Sequence, residues 1–145
     1  MGQLVEKIGE GADIITLHNA VSAFTTPTVA NTGVDVSRWQ TFGAGPSATQ
    51  LEFSASAACQ LAGPLGVYCT MSDGTVIYEG LVGDGANIDI PNAVVSIGIR
   101  ANIGGAVKLQ IAPPATDTNL TGSTCTPTNG ATVTVKARPI RTVMA

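Results

Sequence analysis

The chain has 145 residues, a formal net charge of −3, 44% hydrophobic residues and only 12% charged ones. That length and hydrophobic share allow one domain with one core, and a charged fraction about half the usual value leaves a surface suited to being covered inside a larger assembly. Aromatics at 4% speak against sugar clefts and single-strand nucleic-acid platforms, which need several aromatic faces.

Residues 1–12 contain Gly2, Gly9 and Gly11 and show no strand period. They are expected as an N-terminal arm, or a short helix, outside a single β domain of residues 13–145. Short strands are expected at Asp13–Leu17, Val36–Phe42 and Asn87–Ile90. In the second of these, Val36, Arg38, Gln40 and Phe42 take one face and Ser37, Trp39 and Thr41 the other. From Thr49 to Leu61 the alternation is sustained: Leu51, Phe53, Ala55, Ala57, Cys59 and Leu61 share one parity, as in a half-buried strand. Gly66–Met71 places Val67, Cys69 and Met71 on one face, Ser72-Asp73-Gly74 supplies a turn, and Thr75–Glu79 returns.

The clearest hairpin signal follows. Val95, Ile97, Ile99, Ala101 and Ile103 alternate with polar or small residues, Gly104-Gly105 reads as a two-residue turn, and Val107, Leu109 and Ile111 alternate again. Pro113-Pro114 ends that strand. A polar loop is expected over Thr116–Gly130 and a last strand over Thr132–Arg138, with Val133, Val135 and Ala137 inward. The expectation is an all-β, jelly-roll-like β-sandwich of about eight short strands, with no helix of note.

The search for chemistry yields little. His18 is the only histidine, so it is the only available Ser-His base, and no G-x-S-x-G elbow accompanies it. Glu52 and Glu79 lie on polar strand faces and could approach another acid, but a glycosidase also needs an aromatic cleft. Asp84, Asn87 and Asp89 follow a Gly-rich turn and have the oxygen donors of a calcium site without the EF-hand spacing; an acidic β-turn, by far the commoner arrangement, accounts for them. Gly43-Ala44-Gly45 lacks the third glycine of a dinucleotide fingerprint, and Asn119-Leu120-Thr121 has the form of a glycosylation acceptor without a secretory signal. Cys59, Cys69 and Cys125 form no disulfide framework; Cys59 and Cys69 flank Gly63-Pro64 and are either buried thiols or a pair across a hairpin. No cofactor and no metal are expected, and the chain is expected not to be an enzyme.

Partners are constrained by charge. Nine of the ten acids fall in residues 1–89 and five of the seven bases in residues 90–145, too sparse a set for a phosphate-tracking stripe, so nucleic acid is not an expected partner. The segment Met1–Glu10 lacks a positive region followed by an apolar run, and no stretch approaches the roughly 20 apolar residues of a membrane span; synthesis in the cytosol and no membrane association are expected. Trp39, the only Trp, is either a core residue or, on an exposed strand face, an interface anchor, and Arg38 and Trp39 are the first choice for a contact patch. Leu4, Val5 and Ile8 on the arm are further candidate contacts.

The signal-less arm, low charge, abundant Ala, Gly, Thr and Val, and hairpin-like runs such as Val95–Ile111 together resemble the small cement or decoration proteins of tailed-bacteriophage capsids. The resemblance lies in the character of the whole chain, and no motif carries binding residues over. It implies a virion structural protein, dimeric or trimeric, on the capsid surface, that clamps neighbouring major capsid subunits. The alternative from the residues is a ligand- or carbohydrate-binding β-sandwich module, for example on a phage tail. A cupin-like lyase or isomerase would call for a histidine cluster that one histidine cannot supply.

Overall fold

The computed structural model describes residues 3–20, 24–25, 33–42, 48–62, 65–82, 88–99, 106–112, 124–127 and 130–144. Within them the chain is all β apart from two 3₁₀ segments, Gly11–Asp13 and Ser37–Phe42. The strands are β1 (Leu4–Ile8), β2 (Ile15–Ala20), β3 (Phe24–Thr25), β4 (Val34–Asp35), β5 (Ala48–Ala55), β6 (Cys59–Ala62), β7 (Gly66–Met71), β8 (Val76–Leu81), β9 (Ile88–Ile90), β10 (Val95–Ile99), β11 (Ala106–Ala112), β12 (Thr124–Pro127) and β13 (Val133–Met144). The described residues thus hold thirteen strands against the eight expected, because pieces as short as β3 and β4 are too brief for a period of two to declare itself; β9 falls within the strand expected at Asn87–Ile90.

Every pairing among the described residues is antiparallel. In the first sheet β13 is the hub. β5 lines one of its edges over Val133–Ile140, and β10 adds to the far side of β5. The other edge of β13 is divided: β2 covers Val133–Ala137 and β1 covers Ile140–Met144. The second sheet has the order β4-β11-β7-β8 and the third β3-β12-β6-β9. All three feed one core, with Leu51, Phe53, Val133 and Val135 from the first, Val67, Cys69, Leu109 and Ile111 from the second, and Leu61, Ile88 and Ile90 from the third. The architecture is an all-β sandwich of curled antiparallel sheets.

Pro139 lies inside β13, where a missing N–H normally breaks a ladder. The N–H and C=O of one strand residue point to the same side. The Pro139 carbonyl accepts from the Gly9 N–H at 2.9 Å, so its missing donor faces the junction where β1 has ended and β2 has not begun. Proline is tolerated there because that stretch of edge has no continuous partner strand. Gly9 is required at the junction for its size: a Cβ on it would sit 2.7 Å from Pro139 Cδ and Cγ and 2.9 Å from Asp13 Cβ.

Several sequence expectations are corrected. The Val95–Ile111 hairpin is not formed. β10 pairs with β5, matching Val95 to Phe53 and Ile97 to Leu51, while β11 pairs with β7 and β4 in the second sheet. A bulge between Ala106 and Lys108 buries Ala106 and leaves Val107 half-exposed; the Gly104-Gly105 turn lies outside the described residues. The run Thr49–Leu61 is two strands of different sheets, broken at Ser56–Ala58. There the Ser56 N–H donates to the Thr132 carbonyl and the Thr132 N–H to Ser56 Oγ, both at 3.0 Å. The inward parity survives the break at Leu51, Phe53, Cys59 and Leu61, whereas Ala57 is exposed. The Ser72–Gly74 turn does join β7 to β8, with Gly74 at φ 89°.

Val36–Phe42 is not a strand. Asp35 Oδ1 accepts from the Ser37 N–H (2.9 Å) and Ser37 Oγ (2.7 Å), and the Trp39 N–H donates to the Val36 carbonyl at 2.9 Å. This local capping winds the segment into a 3₁₀ turn, in which residues three apart share a face. Val36 and Trp39 therefore both enter the core.

Candidate interaction surface

The residues singled out for chemistry are dispersed. Trp39 is 1% exposed, and its indole N–H donates to the Asp13 carbonyl at 2.6 Å. It is a core residue and cannot anchor a partner. Arg38 is exposed on the same turn, beside Asp35. Hydrogen bonds from the Ser37 hydroxyl and N–H, helped by the charges of Lys108 and Arg38, hold the Asp35 carboxyl below its usual range. Val34, Asp35, Ser37 and Arg38 line an open depression of about 340 Å³.

His18 sits half-buried on β2 opposite Val135. Glu52 meets a base rather than another acid: its carboxylate accepts from Arg138 Nε on the neighbouring strand. Glu79 lies on β8 near Cys69. Cys59 on β6 and Cys69 on β7 occupy different sheets, and both are buried free thiols. Burial, with a smaller push from the Glu79 charge, raises the Cys69 thiol to about 12, so it is protonated and unreactive at neutral pH. Of the calcium candidates, Asp84 and Asn87 lie outside the described residues, and Asp89 accepts from Gln60 Nε2 at 2.7 Å. Among the described residues no group of three or more His, Cys, Asp or Glu could hold a metal ion. Among the described residues no helix is long and apolar enough to cross a membrane.

The surface itself is more informative. Among the described residues five large hydrophobics are exposed, and three share one strand: Leu4 at 67%, Val5 at 39% and Ile8 at 41%, with Ile77 and Val94 elsewhere. Within residues 1–12, expected as an arm or short helix, Leu4–Ile8 is strand β1, with every side chain exposed, and a 3₁₀ turn begins at Gly11. Its strand period was hidden because neither face meets the core, so there is no apolar–polar alternation to see. Among the described residues β1 pairs only with β13, which makes it the outer strand of the first sheet at this end. Beside it, Glu6, Ala48, Thr49, Gly98, Ile99 and Ile140 line a second depression of about 320 Å³.

An exposed apolar strand at a sheet edge is a hazard that folded proteins normally blunt with charge, proline or a covering loop. Here the charges are Glu6 and Lys7, set between Leu4, Val5 and Ile8. The arrangement offers hydrogen-bonding groups and aliphatic side chains together, the two elements of β-strand addition. No protein-family model matches the chain, and no curated protein or solved structure gives a significant match to it.

Proposed function

We propose that this chain is a non-enzymatic virion structural protein that cements a tailed-bacteriophage capsid, docking on neighbouring major capsid subunits through β1. The observation that carries the reading is the cluster of Leu4, Val5 and Ile8 on an edge strand. The low charged fraction, 12%, supports it, because little charge has to be desolvated when such a surface is covered. Each contact is small, and many copies on a repeating shell hold by multivalency.

Particles assembled without the protein should form, yet rupture at lower temperature or lower salt than complete ones. Restoring the protein should restore robustness, and a Leu4→Lys/Ile8→Lys variant should leave the shell weak. The depression lined by Val34, Asp35, Ser37 and Arg38 is of ligand-pocket size and favours a second reading, a ligand-binding module. Particles that are equally robust without the protein but fail to adsorb to cells would overturn the cement role and favour that module.

A further inference from the structure

We infer that the edge of β1 turned away from β13, which faces no other strand among the described residues, is built for an extended segment of a different protein, with a Lys or Arg flanked two residues away on each side by aliphatic residues. The inference rests on β1 being the docking edge and specifies what docks there.

The backbone phase comes first. The Gly9 N–H donates to the Pro139 carbonyl at 2.9 Å, and the register continues from Ile8↔Ile140 to Leu4↔Met144. Hydrogen-bonding groups alternate along a strand. Val5 and Lys7, in phase with Gly9, therefore turn theirs toward β13, while Leu4, Glu6 and Ile8 turn theirs to the open edge. A strand added antiparallel forms its hydrogen-bonded pairs with those three residues. Their side chains project on the face shared with Ala48, Gly98 and Ile140, around the second depression.

A second copy of this chain is a poor occupant. Across a two-fold axis, outward groups must meet outward groups, so Leu4, Glu6 and Ile8 can face only one another. The register that matches Leu4 with Ile8 sets Glu6 directly against Glu6, and like charges in that position are destabilising. The register that would set Glu6 against Lys7 is out of phase, since the backbone groups of Lys7 are turned to β13. The other in-phase registers set Glu6 against Leu4 or Ile8, so no two-fold pairing within the strand places a base opposite Glu6, and a second copy is the less favoured occupant of this edge. Charge complementarity instead selects a partner strand with a base opposite Glu6 and aliphatic side chains opposite Leu4 and Ile8.

The test uses two synthetic peptides, Thr-Val-Thr-Lys-Thr-Val-Thr and its counterpart with Glu in place of Lys. They are titrated into the full chain and into Glu6→Lys while backbone amide exchange is followed residue by residue. The Lys peptide should slow exchange at Leu4, Glu6 and Ile8, leave Val5 and Lys7 as they were, and bind about fivefold more tightly than the Glu peptide, as expected for swapping one cross-strand charge pair. Glu6→Lys should reverse the preference. Equal binding of both peptides at β1, or a preference that Glu6→Lys leaves unchanged, overturns the charge rule while the docking edge stands. If neither peptide protects those three amides, the rule and the docking edge both fail.

Discussion

At the scale of single residues, Trp39 shows how a local hydrogen bond redirects a side chain. The Asp35 carboxylate caps Ser37, the chain winds into a 3₁₀ turn, and the indole swings into the core with its N–H on the Asp13 carbonyl at 2.6 Å. It is the largest of the fully buried side chains. Trp39→Ala should cost about 4 kcal/mol through lost burial and the cavity left behind, lowering the melting temperature of a chain this size by about 10 °C. Trp39→Phe keeps most of the apolar body and loses the hydrogen bond, so it should cost clearly less. Thermal unfolding followed by circular dichroism separates the two. An alanine variant that melts within a couple of degrees of the parent would mean that the indole is not the packing keystone described.

At the scale of elements, the β1–β2 junction explains both an interrupted strand and an interior proline. Gly9 and Pro139 touch there, and neither tolerates the other being larger. Gly9→Ala should overpack the junction and cost about 2 kcal/mol, whereas Gly98→Ala, where a Cβ meets nothing within 4 Å, should be close to neutral. Chemical denaturation of the two variants measures the contrast, and equal midpoints would refute the close-packed junction. Other elements differ in how far the sequence announces them. β5, β10 and the start of β13 are legible because one face meets the core, giving Leu51, Phe53, Ile97, Val133 and Val135 a period of two. β7 is buried on both faces from Gly66 to Thr70, so alternation there describes only half of its packing. β1 is exposed on both faces and shows no period at all. Its residues Leu4, Val5 and Ile8 are nameable from sequence as contacts, but their strand geometry is not. The partners of β10 and β11 were illegible because a Gly-Gly turn signal is local, while the strands they join are selected by distant matching faces.

At the scale of the molecule, β13 decides whether the first sheet exists. Val133 pairs with both Ala20 and Ala55, and Ile140 with both Ile8 and Ala48, so segments from the start, middle and end of the sequence meet on one strand. Such non-local pairing makes folding slow compared with a helical bundle, and it concentrates stability in β13. Val133, Val135 and Ala137 are fully buried, and burial of the two valines alone is worth about 4 kcal/mol. Removing β13 also strips β1 and β2 of their described partner and uncovers Leu51 and Phe53. Against a net stability of about 5–15 kcal/mol for a typical domain, that loss is fatal. A chain lacking residues 133–145 should show no cooperative thermal transition. A chain lacking residues 1–8 gives up only an exposed edge strand, and should still unfold in a single sharp transition at a moderately lower temperature. Calorimetry of the two truncations tests this asymmetry. A sharp melt from the chain without β13 would show that the second and third sheets close the core by themselves, and that the hub role belongs elsewhere.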